Sequence, residues 1–169
     1  MNKLRLYFND VEFEQLKRCE DIHAKCLSIA LRLFNGIKDK SGKPYIGHLL
    51  RVSSSLEDLT ESSAGLLHDV IEDIEDIKSE DLLDIGIPKE VVDIVLLVTK
   101  EKGKSYEDEI SKIINSGNNK ALNLKIADIS DNSSEDRLES LDIETKERLK
   151  QKYLLPLRRL KEERNRRND

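Results

Sequence analysis

Ala64-Gly65-Leu66-Leu67-His68-Asp69-Val70-Ile71-Glu72-Asp73 is the stretch on which both the fold and the chemistry of this chain turn. Its apolar residues recur at helical spacing. On an ideal helix of about 100° per residue with Leu67 as origin, His68 lies at about 100°, Glu72 at about 140°, Asp69 at about 200° and Asp73 at about 240°. Leu66, Leu67, Val70, Ile71 and Ile74 fill the opposite sector. The pattern predicts one helix from about Glu61 to Asp73, with an imidazole and three carboxylates on one side. Gly65 falls on that same face and leaves space there. Such a face is either the wet side of an amphipathic helix or one wall of a metal site. A metal site needs ligands from elsewhere in the chain.

Two segments supply candidates. His48 stands in Lys43-Pro44-Tyr45-Ile46-Gly47-His48-Leu49-Leu50, near the start of a helix predicted from Tyr45 to about Leu59. Asp128 stands in Leu124-Lys125-Ile126-Ala127-Asp128-Ile129-Ser130-Asp131-Asn132. On a helix, Ala121, Lys125, Asp128, Asp131 and Asn132 share one face, opposite Leu122, Ile126 and Ile129. The chain has only three His, and two of them fall in these candidate segments. The third, His23, matches no such pattern and reads as structural.

Helical periodicity runs through the rest. Asp10 is a candidate N-cap for a first stretch reaching Leu33, with a break near Cys19–Asp21 and a stop at Asn35-Gly36. Asp39 to Pro44 reads as a loop. Ser79 caps a short helix, Pro88 opens Glu90 to Thr99, and Ser105 opens a helix to Asn115. Lys120 to about Asp131 follows, then Glu144 to Arg164, interrupted or kinked at Pro156. The strand-like stretches are Leu4–Phe8 and Val91–Val98, and the second also fits a buried helix. The expectation is an all-α bundle of roughly eight short helices, one domain spanning residues 1–169.

Composition agrees and excludes other classes. Charged residues make up 37%, well above the usual ~25% for a globular chain, which suits long solvated helices. Three Pro and seven Gly are too few for an all-β sandwich. No apolar run exceeds five residues, whereas a membrane helix needs about 20, so no membrane association is expected. The N-terminal segment lacks a signal-peptide core, and a cytoplasmic location is the expectation. Cys19 and Cys26, about 10 Å apart on a helix, are expected to be free thiols. Ten Lys/Arg against four Asp/Glu between Lys146 and Asp169 give +6, leaving 19 − 30 = −11 for residues 1–145. That acidic body argues against general nucleic-acid binding. The basic C-terminal tail, about 158–169, reads as the end of a last helix with a frayed terminus.

Taken together, His48, the His68-Asp69 pair and Asp128 resemble the metal-binding signature of HD-domain phosphohydrolases. Lys40-Ser41-Gly42-Lys43-Pro44-Tyr45-Ile46-Gly47-His48, Leu66-Leu67-His68-Asp69-Val70-Ile71-Glu72-Asp73 and the block ending at Asn132 are similar to three ordered blocks of the RelA/SpoT-type hydrolase domain. The resemblance covers about Ile22 to Tyr153. It implies an HD-domain helical bundle with His48, His68, Asp69 and Asp128 as ligands of one divalent metal, commonly Mn²⁺. Glu72 and Asp73 match the acidic pair assigned to water activation. Lys125 and Asn132 match positions near the nucleotide. Mixed imidazole and carboxylate ligands suit Mn²⁺ and are compatible with Fe²⁺ or Zn²⁺.

Two positions depart from the family pattern. Leu49 stands where Pro is frequent, and Asp39 stands where the alarmone hydrolases often carry Arg. Lys38, Lys40 or Lys43 could supply that charge, though without the bidentate fork of an arginine. Tyr45 reads as packing. The 37 residues after Asn132 resemble the helical end of the hydrolase domain, so hydrolysis without synthesis is expected. The implied reaction is removal of the 3′-pyrophosphate of guanosine tetra- or pentaphosphate, giving GDP or GTP. Lys40, Lys43, Lys125 and Asn132 are the candidate substrate contacts. The alternatives are another nucleotide phosphate as substrate, or a non-catalytic nucleotide-binding regulatory module.

Overall fold

The computed structural model describes residues 1–139 and 141–169. A 3₁₀ turn at Lys3–Leu6 leads into α1 (Asp10–Arg18), α2 (Ile22–Leu33), α3 (Ile46–Ser54), α4 (Leu59–Leu67), α5 (Val70–Asp73) and α6 (Ser79–Asp84). Then come α7 (Lys89–Val98), α8 (Tyr106–Asn115), α9 (Asn119–Asn132), α10 (Glu135–Leu138) and α11 (Ile143–Asn168). Among the described residues there is no strand, only an isolated bridge between Lys38 and Pro44. The all-α expectation holds. Leu4–Phe8 is not extended, and Val91–Val98 is a buried helix. No described helix is long and apolar enough to cross a membrane.

The organising element is α4, which packs against α2, α3, α7 and α9. Every residue from Glu61 to Leu67 is buried. Such a central helix has to be slim, and Ser62-Ser63-Ala64-Gly65 makes it so. Gly65 lies against the α3 backbone. A Cβ placed there would sit 3.1 Å from Ser53 Cα and 3.3 Å from Ser53 N. The Ser53 and Ser62 hydroxyls meet at 2.9 Å, and Ser62 Oγ donates to the Ser53 carbonyl at 3.0 Å. The space at Gly65 therefore serves a close helix crossing rather than a ligand.

That crossing carries a prediction. Gly65→Ala forces α3 and α4 apart against backbone atoms that cannot rotate away. A loss of roughly 1–3 kcal/mol is expected, as for other overpacked sites. Urea unfolding at neutral pH measures it, and unchanged stability would mean that the helices separate freely.

Several element boundaries differ from the sequence expectation. Asn9, not Asp10, caps α1, accepting from Glu12 N at 2.9 Å while Glu12 bonds back to Asn9 N at 3.0 Å. The helix expected to reach Leu59 ends at Ser54, because Asp58 caps a new one by accepting from Glu61 N at 3.0 Å. Lys78, not Ser79, is the cap position of α6. α11 runs through Pro156 without interruption and takes in the basic end as far as Asn168. Buried Leu149, Pro156 and Leu160 hold it, and Arg167 donates to the Ile114 carbonyl at 2.7 Å and to Asn119 Oδ1 at 2.8 Å. Packing and these bonds offset the missing proline donor.

The largest correction concerns the key stretch. The helix expected over residues 61–73 stops at Leu67, turns through His68 and Asp69 (φ −97°, ψ −2°) and resumes as α5. His68 Nδ1 meets the Gly65 carbonyl at 2.7 Å, giving that carbonyl a side-chain partner where the helix ends. The Cys expectation holds, since Cys19 and Cys26 are both free.

Candidate active site

Three elements deliver the acidic and imidazole groups to one point. α3 brings His48, the α4–α5 turn brings His68 and Asp69, and α9 brings Asp128. His48 Nε2 lies 3.7 Å from Asp69 Oδ2 and 3.4 Å from Asp128 Oδ1. His68 Nε2 lies 3.0 Å from Asp69 Oδ2 and 3.7 Å from Asp128 Oδ1. One ligand atom each from His48, His68 and Asp69 falls within 4.8 Å of the others. The two imidazole rings meet edge to face, 5.2 Å between centroids.

Each histidine is anchored at Nδ1, His48 by Asp131 Oδ2 at 2.6 Å and His68 by the Gly65 carbonyl at 2.7 Å. Both Nε2 atoms are buried with no hydrogen-bond partner. Buried polar atoms are nearly always satisfied, and two orphans facing two carboxylates fit a shared cationic ligand. The donor set of imidazole nitrogen and carboxylate oxygen fits a divalent transition metal.

The charges around this point are strongly coupled. Burial disfavours the Asp128 carboxylate, yet Lys125 and the two nearby imidazoles hold it well below the usual carboxylate range. Burial likewise opposes protonation of His68, but Asp69 and Asp128 raise it well above the ordinary value. Asp73 is the counter-example. Desolvation, then repulsion from Asp69 and Glu72, pushes its carboxyl up to about 6.

A cavity of about 350 Å³ opens onto the point, lined by the site carboxylates and by Lys38, Lys40, Lys100, Lys125, Lys152 and Arg137. Glu72, Asp73, Lys40, Lys125 and Asn132 all line it, whereas Lys43 does not. Lys43 is exposed, and its backbone N–H donates to Asp39 Oδ1 at 3.0 Å. Lys125 Nζ and Asn132 Nδ2 both bond Asp128, at 2.9 and 2.5 Å. Glu72 Oε2 accepts from Lys100 N at 3.1 Å. Asp39 is a loop staple, accepting from Ser41 N, Ser41 Oγ and Lys43 N.

Sequence reasoning missed several participants. Tyr45 stacks on Phe34 as a packing residue would, but its hydroxyl also donates to Asp69 Oδ2 at 2.6 Å. Arg137, Lys100 and Lys152 bring positive charge from α10, the end of α7 and α11. None of the three lies in a recognisable block, so only their convergence in space identifies them. Arg137 reaches Asp39 at 3.7 Å. His23 Nδ1 lies 3.3 Å from Ser63 Oγ.

No family model matches the sequence, and no curated protein matches it. Among solved structures, the chain is similar to a metazoan ortholog of SpoT, described as hydrolysing ppGpp and playing a role in starvation responses. The match has a TM-score of 0.64 and 24% sequence identity, and covers 88% of this chain and 94% of that one. What the likeness carries across is the fold, an all-α bundle of the HD-domain kind seen in that ppGpp hydrolase.

Proposed function

We propose that this protein is a divalent-metal-dependent phosphohydrolase that removes the 3′-pyrophosphate of guanosine tetra- or pentaphosphate. The observation that carries the reading is the pair of buried, unpartnered Nε2 atoms of His48 and His68 facing Asp69 and Asp128. In the proposal these four side chains hold Mn²⁺. A bound Mn²⁺ would lower the pKa of a water and draw charge from phosphoryl oxygens. Asp73, with its raised pKa, and Glu72 accept the proton as water attacks the 3′-phosphorus. The bond from that phosphorus to the ribose 3′-oxygen breaks, the proton taken from water passes to that oxygen, and pyrophosphate and GDP or GTP are released. Lys40, with Lys100, Lys152 and Arg137, neutralises the remaining phosphates, while Lys125 and Asn132 hold Asp128 and border the nucleotide.

A substrate phosphorylated at both 5′ and 3′ positions uses the acidic point and the basic wall together. Guanosine tetraphosphate is therefore expected to be hydrolysed with a higher kcat/KM than GTP or dGTP in Mn²⁺. Each charge-assisted contact is worth about 1.5–3 kcal/mol, or roughly 10- to 150-fold. Product analysis under steady-state conditions decides the matter. Faster turnover of a nucleotide lacking a 3′ phosphate would replace the substrate and keep the phosphohydrolase. Tight nucleotide binding with no turnover in any divalent metal would make the protein a regulatory module.

A further inference from the structure

His48 and His68 are oriented by different means. His68 gives its Nδ1 to a neutral backbone carbonyl, whereas His48 gives its Nδ1 to the Asp131 carboxylate. Asp131 sits three residues beyond Asp128, one turn along α9, and its side chain is 10% exposed. It is itself clamped. Arg51 Nε donates to Oδ1 at 2.6 Å and Arg51 Nη2 to Oδ2 at 3.1 Å, a two-pronged grip from α3. Arg137 Nη1 adds a third bond to Oδ2 at 3.0 Å.

The chemistry of imidazole gives this arrangement a consequence. A neutral ring carries one proton, and the nitrogen without it is the one that can bind a cation. A carboxylate at Nδ1 holds the proton there and leaves the Nε2 lone pair directed at Asp69 and Asp128. Its charge also makes the ring more electron-rich than a carbonyl partner would. Two arginines hold that carboxylate in place, so it cannot turn away from Nδ1.

We infer that Asp131, gripped by Arg51 and Arg137, is a positioning residue that sets the tautomer and aim of His48 and thereby strengthens binding of a divalent cation between His48, His68, Asp69 and Asp128. The inference rests on the metal reading above. Asp131 acts only through His48. Arg51 is half-exposed and lies outside the cavity wall, so it touches neither cation nor substrate.

The test is calorimetric titration of Mn²⁺ into the metal-free wild type and into Asp131→Ala, Asp131→Asn and Arg51→Met. Melting of each metal-free protein is measured in parallel. Carboxylate partners of metal-bound histidines are worth about 10- to 100-fold in metal affinity, which is the loss expected for Asp131→Ala. Asp131→Asn keeps an oxygen for Nδ1–H but not the charge, and is expected to fall between Ala and wild type. Arg51→Met is expected to weaken Mn²⁺ less than either. A purely structural tie between α3 and α9 would lower the metal-free Tm and leave the Mn²⁺ affinity of the folded protein unchanged, which would overturn the inference. If Asp131→Ala does not fold, Asp131→Asn and Arg51→Met decide on the same criterion. A wild type that binds no divalent cation would sink the metal reading, and this inference with it. Tight wild-type binding with no change in any variant would sink this inference alone.

Discussion

Asp69→Asn is expected to abolish the response of the fold to Mn²⁺. The wild-type site draws on three elements, so it exists only in the folded chain, and a cation bound there stabilises the fold by mass action. At about 100 times its Kd the gain is about 2.7 kcal/mol, which for a domain of this size raises Tm by about 5–11 °C. Asp69 Oδ2 is the carboxylate oxygen nearest to His68 Nε2, at 3.0 Å, and Tyr45 holds it from the other side at 2.6 Å. The amide keeps the shape and removes the charge. Differential scanning fluorimetry with a Mn²⁺ series reads the effect, with hydrolysis falling below detection in parallel. A Tm shift of wild-type size in Asp69→Asn would remove this residue from the ligand set.

Asp73→Asn is expected to separate chemistry from binding. Loss of a positioned proton acceptor lowers kcat by about 10²- to 10⁴-fold. The Mn²⁺-induced Tm shift should persist, because both imidazole Nε2 atoms lie within 4.0 Å of Asp69 and Asp128 but not of Asp73. Glu72→Gln is expected to behave in the same way, less severely if Asp73 is the principal acceptor.

The pH profile has a fixed sign. Asp73 accepts a proton only when ionised, so the wild-type rate should fall as pH drops through about 6, and a bound cation moves that limb to lower pH. The asparagine variant should lack the limb. Stability moves the other way. The folded pKa lies above the unfolded value of about 3.9, so stability falls as pH rises from about 4 to about 6, and the full cost of the ionised group is present above that. Metal-free Asp73→Asn should therefore melt higher than wild type at pH 8 and no higher at pH 4. Loss of the Mn²⁺ response together with turnover would show that Asp73 is a ligand rather than a base.

Much of the bundle was legible because helix period and capping residues are local signals. Ser105 accepts the Asp108 N–H three residues on and opens α8 as read, whereas Asp21, Asp58, Asn118 and Asp142 open helices in the same way without having been singled out. The misread elements are those where a distant contact outvotes the local signal. Pro156 should interrupt α11, but the bundle holds it buried within a helix pinned by Arg167 to the end of α8. The run from Glu61 to Asp73 has unbroken helical period, yet His68 returns its ring to the Gly65 carbonyl and the helix turns there. That turn is why Asp69 faces both histidine Nε2 atoms.

The sequence by itself determined the helical class, the face of α9 that carries Lys125, Asp128 and Asn132, and the His-Asp pair that draws attention to the α4–α5 turn. These follow from residue type and spacing along one helix, over a range of a few residues. The family resemblance already grouped His48 with them, and only the tertiary structure brought Asp131 and Arg51 to His48 across two helices and Arg137, Lys100 and Lys152 to the cavity wall. The physical reason lies in range. Propensity, period and capping act within a turn or two of chain, whereas a site joins side chains far apart in sequence, such as His48 with Asp131 at 83 residues and Arg51 with Asp131 at 80. Their meeting depends on how closely Gly65 lets α3 approach α4, a packing distance that no periodicity encodes.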